Sequence, residues 1–416
     1  MGSFFRIFKR KPKFENDGSV YSIMWKQFLK NKLNVVFLCV LIIAVFISLI
    51  GYLITPDSTP YANAQYLELT LQKPGTRVTM VKIAHNKIPQ TQNLFSKMFF
   101  GSVSRYVKIP VTEYDVSGDS LHAVLFTGIE DDRGISVSYH IIDVLFHIDT
   151  TQQVIFDNNM YFWTDADKSK RQISQNEALT AIKKNIYSQK FILGTDRFGR
   201  DVLSQLIIGA RVSLSVGLIA VIISLLIGVT LGALSGYYGG RVDKLIMWLI
   251  NVVWAIPTLF LVIAITFALG KGFWQIFIAV GLTLWVDIAR LVRGMVMSLR
   301  NREYVEAAHA LGYSDRRIIF HHILPGTLGP IIVVSAANFA SAILIESGLS
   351  FLGIGIQPPM PSWGTMLREN YGFLIMDYAY LAIIPGIAIM ILVLTFMILG
   401  NGIRDAMDVK QLQSER

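Results

Sequence analysis

What chemistry this chain can perform is bounded first by what its sequence lacks. No G-x-x-x-x-G-K-[S/T] phosphate loop occurs, although Gly239-Gly240 and Gly270-Lys271-Gly272 are superficially glycine-rich, so the chain should not hydrolyse ATP alone. No serine elbow, H-E-x-x-H or cysteine/histidine zinc spacing is present either. His85, His122, His140 and His147 stand at spacings that match no ligand motif, and read as scattered surface or strand residues rather than a metal site. Neither a catalytic centre nor a cofactor is expected in this chain.

Two groups of polar residues in apolar surroundings remain. The first is the island Glu303 to Pro325, E-Y-V-E-A-A-H-A-L-G-Y-S-D-R-R-I-I-F-H-H-I-L-P. Glu303 to Leu311 reads as a short helix whose small residues Ala307, Ala308 and Ala310 let another surface approach closely. Gly312 ends it, since a residue without a Cβ suits the left-handed position after a helix. Ser314 and Asp315 then offer an N-cap and a favourable first-turn charge for a second helix, which Pro325 closes. A plain solvated loop is the alternative; the helix-Gly-helix grammar argues against it.

The second group is Ser335, Asn338, Ala342 and Glu346, at three- and four-residue steps on one helical face inside an apolar run. An intramembrane carboxylate is costly in lipid and faces a bundle interior or water. The stripe therefore either borders a translocation path or hydrogen-bonds a partner span. Asp287, Arg290 and Arg293 are close on a helix and read as an anchoring cluster at the membrane interface rather than a gate. Pro257 removes a backbone donor and crowds the preceding turn, so it should kink its span; a kink can be a hinge or only a bend.

The elements that hold these residues follow from composition. Of 416 residues 53% are hydrophobic and only 16% charged, and the mean hydropathy is +0.48, a multi-span membrane composition. Leu33–Ile54 is an apolar run of 22 residues, long enough at about 1.5 Å per residue to cross roughly 30 Å of hydrocarbon. Its length, and a small-residue Ala62-Asn63-Ala64 site ten residues beyond its end, favour an uncleaved first span over a signal peptide. Five further spans are expected at about 212–236, 247–269, 273–292, 328–349 and 379–400, which makes six.

Charge orients them. Residues 1–32 carry eight basic side chains against two acidic ones, while residues 55–190 balance fourteen with fourteen. Arg241 and Lys244, then Arg293, Arg300, Arg302, Arg316 and Arg317, then Arg404, Lys410 and Arg416 fall in loops or tails on one side, which the positive-inside rule makes cytoplasmic. Both termini, with tails 1–32 and 406–416, and the loop 303–325 then lie inside, and 55–190 lies outside. The net charge of +9 is split among short segments flanking apolar runs, so it reports topology and not nucleic-acid binding. The sole cysteine, Cys39, lies within the first span, so no intramolecular disulfide can form.

The insert 55–190 has β-type stretches at Tyr66 to Leu71, Thr76 to Ala84, Tyr106 to Val111, Leu121 to Thr127 and Ile135 to Ile148, then a helical stretch from Ser174 to Tyr187. It reads as a small β-rich α+β domain.

Several of these stretches carry a resemblance. Glu306-Ala307-Ala308, three residues, Gly312, then Leu324-Pro325 resembles the E-A-A loop of membrane subunits of ATP-binding cassette importers. The generic pattern has an aliphatic residue three places before that proline, where this chain has His322; the His-Ile-Leu-Pro form resembles the dipeptide, oligopeptide and nickel permease branch. Leu193 to Asp201 (L-G-T-D-R-F-G-R-D), Gly236-Tyr237-Tyr238-Gly239-Gly240, Leu349 to Gly353, Gln357 to Pro359 and Pro361-Ser362-Trp363-Gly364 are similar to the same branch, together over roughly residues 190 to 405. The departure is the insert, much longer than that family's usual connection.

The resemblance implies an all-α polytopic permease core, 191–405, in the cytoplasmic (inner) membrane of a bacterium or archaeon, bearing the extracytoplasmic insert. It implies four kinds of partner besides membrane lipid: a second, homologous permease subunit, two ATPase subunits that hold the ATP and magnesium, and an extracytoplasmic solute-binding protein. It makes Glu303, Glu306, Ala307, Ala308, Gly312, Ser314, Asp315, His322, Leu324 and Pro325 the ATPase-coupling unit, with Glu306 free to pair with a basic partner group. Short peptides are the expected cargo, with nickel or another small solute as the alternative. A stand-alone secondary transporter would need an internal coupling-ion site and shows no pair of repeated, broken spans; a membrane-anchored sensor would not need the E-A-A unit.

Overall fold

The computed structural model describes residues 20–86, 92–128, 134–270 and 272–414. The basic residues expected in the tail before residue 20, and Lys271 and Arg416, lie outside the described residues.

A short helix α1 (Val20–Lys30) precedes α2 (Lys32–Ile54), which Asn31 caps by accepting from the Leu33 amide. α2 is apolar on all sides and mostly exposed on the protein surface, as a lipid-facing helix should be.

The insert begins with α3 (Leu94–Phe100) set against the far end of α2, and with strand β1 (Arg77–Ala84). β1, β2 (Tyr106–Ser117), β3 (Ser120–Leu125), β4 (Ser136–His140) and β8 (Ile186–Lys190) form one antiparallel sheet in the order β4-β3-β2-β1-β8. β5 (Ile155–Asp157), β6 (Met160–Thr164) and β7 (Lys170–Ser174) form a second. Between them Val81, Val111, Leu121, Tyr161 and Trp163 pack with α4 (Ile141–Leu145) and α5 (Gln175–Asn185), the latter through Ala178 and Ile182. Ser174 and Glu177 close a capping box at the start of α5.

Two insert expectations change. Tyr66 to Leu71 is not a strand but a single helical turn at Leu67–Leu69, because the Leu71 amide and Leu69 carbonyl are taken by Asp196 and Thr195 rather than by a neighbouring strand. Ile135 to Ile148 is β4 followed by α4, where His140 accepts from the Ile142 amide and turns the chain.

α6 (Val202–Tyr238) starts ten residues before the expected span because Asp201 caps it, accepting from the Ser204 amide at 2.9 Å. Its 37 residues would reach about 55 Å, well beyond the hydrocarbon. It packs most heavily against α9 (Phe273–Arg300). Gly228, Gly232 and Gly236, four apart, make that possible: a Cβ on Gly232 would stand 2.6 Å from the Ala289 carbonyl oxygen.

Between them, α7 (Gly240–Trp254) and α8 (Thr258–Leu269) meet at 95°. The sequence predicts a kink; the structure has a full break, with Pro257 in an extended conformation (φ −54, ψ 128) at the start of α8. Helix α10 (Glu303–Ala310) follows α9. α11 (Asp315–Arg317) then runs through a wide π-type turn at Ile318–Ile323 and a tight 3-10 turn at Leu324–Thr327 into α12 (Leu328–Phe351). Pro325 therefore does not close the second helix: the wide and tight turns absorb its missing amide, and Asp315–Phe351 is one continuous rod. A short α13 (Trp363–Asn370) packs against α6 and α12 and against α14 (Tyr380–Ser414), which completes the bundle. Among the described residues five helices are long and apolar enough to cross a membrane, or up to six with the bent α7–α8 pair taken as one crossing.

Candidate functional site

The Glu303–Pro325 loop is a built structure. Glu303 and Glu306 lie in the first turn of α10, where carboxylates favour the helix dipole. At its other end the Gly312 amide donates to the His309 carbonyl (2.9 Å) and the Tyr313 amide to Ala308 (3.2 Å), a Schellman closure with Gly312 at φ +76. Ser314 stands at the expected cap position before α11, but its side chain makes no capping bond. Asp315 is engaged instead with Tyr237, whose hydroxyl donates to Oδ1 at 2.9 Å.

Tyr237 is the bolt of the site. It lies in the last turn of α6, is buried, and its hydroxyl also meets His309 Nε2 at 3.1 Å, while its carbonyl accepts from Arg300 at the end of α9 (2.7 Å). One residue thus ties α6, α9, α10 and α11 together. Beneath it Val305, Ala308, Ile318, Ile319 and Ile323 pack onto Ala233, Val292 and Val296. His322 stacks on Tyr313 (5.8 Å between centroids), and the Arg317 guanidinium covers the same ring at 4.3 Å.

The loop presents one free face. Glu303, Glu306, Ala307, Ala310, Gly312 and Pro325 are exposed, flanked by Leu311 at 72% and Phe320 at 64% exposure. Ala308 is on the other side, buried against the bundle, so the pair Ala307-Ala308 is divided between an outward and an inward role. Leu324 is half-buried between the two. Small residues, two carboxylates and two apolar prongs on a rigid base suit docking to another protein and no covalent chemistry.

A second clamp lies behind the bolt. Arg293 on α9 makes two bonds to Asp243 on α7, at 2.6 and 2.8 Å, and Ser235 donates to the same carboxylate. Arg290 reaches Asn251 (3.2 Å) and stands 3.7 Å over the Trp254 ring. The expected Asp287–Arg290–Arg293 cluster is therefore not one unit: the two arginines hold α7, and Asp287 points out exposed.

Of the Ser335–Glu346 stripe, Ser335 is half-buried and Asn338, Ala342 and Glu346 are buried. Asn338 donates to the Leu284 carbonyl of α9 at 3.0 Å, Ala342 and Glu346 are fully buried, and Glu346 accepts from Ser350 at 2.7 Å. Ser335 donates to the Ile331 carbonyl of its own helix. Only the Asn338 bond crosses to another helix, while Ser335 and Glu346 bond within α12. Pro257 lies at the α7–α8 break, remote in sequence from the loop.

On the insert side, sequence reasoning quoted the Leu193–Asp201 motif without seeing its use. Arg200 is buried between Asp196 (2.6 Å) and Glu369 of α13 (2.5 Å), and Trp363 donates to the Leu206 carbonyl at 2.9 Å. Tyr237 and this latch share a signal: both sit in short polar or aromatic motifs flanking a long apolar run.

Residues 228–411 match the binding-protein-dependent transport system inner membrane component family, and residues 19–74 match the N-terminal membrane domain of oligopeptide transport permease C. A dipeptide transport system permease of Alkalihalophilus pseudofirmus is 45% identical over 217 residues, 52% of this chain and 71% of that protein. A glutathione transport system permease of Pectobacterium atrosepticum is 41% identical over 52% of this chain and 72% of its own length, and an oligopeptide permease of Bacillus subtilis is 41% identical over 52% and 71%. An inward-facing methionine ABC transporter aligns at 18% identity, TM-score 0.41, over 49% of this chain and 96% of that chain. The chain belongs to the family of inner membrane components of binding-protein-dependent transport systems. The matched segments leave residues 75–227 between them, which contain most of the insert and the first part of α6.

Proposed function

We propose that this chain is the permease subunit of an ATP-driven importer of short peptides, working with a second permease, two ATPase subunits and an extracytoplasmic solute-binding protein. The relatives named for dipeptides, glutathione and oligopeptides support the cargo. ATP and magnesium belong to the ATPase subunits, and this chain is non-catalytic. The observation that carries the reading is the α10–α11 unit: a rigid, closed base bolted to two spans through Tyr237, with a free face of small and acidic residues. ATP-driven closure of the ATPase pair pushes this base, and the continuous Asp315–Phe351 rod carries the push across the bundle.

α6 and α9 run parallel, since Gly228, Gly232 and Gly236 meet residues Ile288, Val292 and Val296 in the same order. The bent α7–α8 pair must then bring the chain back across, which supports six crossings in the inner membrane, both termini and the 303–325 loop cytoplasmic, and the insert outside. The break at Pro257 is the hinge candidate in that return. The insert serves as a docking platform for the solute-binding protein, ahead of a cap over the pathway or a spacer.

The test is copurification followed by uptake. An ATPase and a second permease should come down with the tagged chain, and unlabelled di- and oligopeptides should compete with a labelled peptide for uptake. A chain that purifies alone, or uptake indifferent to peptides, would remove the proposal.

A further inference from the structure

A basic cleft opens where the insert meets the end of α2. It has a volume of about 630 Å³ and is walled by Lys82, Lys97, Arg105, Lys108 and Lys190, with Asp57 the only carboxylate in its described lining. None of these five cations forms an ion pair among the described residues. Asp57 forms no ion pair with them, its two oxygens accepting backbone amides from Thr59 (3.0 Å) and Ala64 (2.9 Å), and its single charge leaves the described lining net positive. Lys82 and Lys108 are half-buried in the wall, and Ser58, Ser102, Ser104 and Ser188 add hydroxyls.

The height of this cleft is fixed by Arg211. Its guanidinium donates to the carbonyls of Leu49 (3.4 Å) in α2 and of Met98 (3.2 Å) and Phe99 (2.9 Å) in α3, and lies over the rings of Tyr52 and Phe99. α3 therefore lies alongside the last turns of α2, a helix long and apolar enough to span a membrane. Leu94, Phe95 and Phe100 are 69–75% exposed, and Phe95 stacks on Phe99 one turn on. Phe95 and Phe99 share one side of this short helix, which packs beside α2, where Phe46, Leu49 and Leu53 are also exposed, while Lys97, roughly opposite them and flanked by Leu94 and Phe100, lines the cleft.

We propose that α3 dips its phenylalanines into the bilayer and that the cleft behind it takes the phosphate of an anionic phospholipid headgroup, fixing the insert on the membrane surface. The apolar face adjoins lipid, and the cations stand at headgroup level, where each basic group gains from an anionic leaflet. Burial and the neighbouring Lys82 charge push the Lys108 ammonium below its usual range, with Asp57 opposing; a bound phosphate would relieve both causes.

The test uses the full chain with its copurifying subunits in nanodiscs of phosphatidylcholine and phosphatidylglycerol, with retained lipids counted by native mass spectrometry. Wild type should hold phosphatidylglycerol preferentially, and Lys82→Gln with Lys108→Gln should weaken that retention about fivefold for each charge removed. Unchanged phosphatidylcholine retention shows that the variant is folded; unchanged phosphatidylglycerol retention in it overturns the site. Inorganic phosphate added in excess should leave the lipid in place, and displacement would assign the cleft to a free anion. Independently of the lysines, a spin label at Phe95→Cys on a Cys39→Ser background should be relaxed by oxygen more than by a water-soluble nickel reagent. The reverse order, or protection from both, would mean that water or a protein covers α3.

Discussion

Tyr237 shows how much of the loop rests on one hydroxyl. Its oxygen joins Asp315 and His309 while its carbonyl holds Arg300, so the ends of two spans and both arms of the loop share a single residue. Tyr237→Phe keeps the ring in its apolar seat and the carbonyl bond to Arg300, and removes only the contacts of the hydroxyl with Asp315 and His309. The expected cost is local, about 1 kcal/mol for a part-exposed bond to a carboxylate. Hydrogen exchange should report faster opening of Glu303–Asp315 amides and no change in α6 or α9; exchange unchanged in the loop would deny Tyr237 this part. Gly312 is the other residue whose type is dictated by place, since at φ +76 a side chain is strained and proline, fixed near −65°, cannot follow.

Elements carry the next level. The parallel α6–α9 contact is set by backbone proximity at Gly228, Gly232 and Gly236, so Gly232→Leu must drive the helices apart against the Ala289 carbonyl. The expected result is loss of the folded subunit from membranes, or a lowered unfolding temperature in detergent, whereas Gly294→Ala on α9, with open space around it and a helical backbone, should matter much less. In the insert, the Glu177 carboxyl is held below its usual range first by the Ser174 hydroxyl and then by its amide. A depressed folded-state pKa contributes stability that is present above the ordinary carboxylate pKa and fades as pH falls through the lowered value. Protection of α5, corrected for intrinsic exchange, should therefore decline on acidification, and Ser174→Ala should flatten that decline. An unaltered profile in Ser174→Ala would contradict the capping-box account.

At the scale of the whole molecule, the loop, the spans and the β-rich character of the insert were readable because each depends on local rules: apolar length, charge bias and a glycine after a short helix. Three features were not. Whether Pro257 kinks or breaks its span depends on what packs beside it, and here the chain leaves the helix entirely. Pro325 looks like a stop, yet adjacent wide and tight turns let the helix pass through it. The Ser335–Glu346 stripe showed its spacing but not its partner, which lies across the bundle at Leu284 and, for Glu346, one turn on at Ser350. Tyr237 and Arg200 escaped for a related reason: short motifs beside apolar runs mark their positions, but apart from Asp196, four residues from Arg200, their partners lie 63 to 169 residues away.

The central claim is that Glu303–Pro325 transmits work from the ATPase subunits, and the number of ATP molecules hydrolysed per peptide imported tests it most directly. In vesicles containing the complete transporter, Glu306→Lys places a cation on the free face, and Gly312→Pro breaks the closure at φ +76. Both variants should assemble, continue to hydrolyse ATP and import little peptide, so that the ratio rises about tenfold or more, the effect of losing roughly 1.4 kcal/mol or more of coupling. An unchanged ratio, with import at the wild-type rate in both variants, would contradict the account.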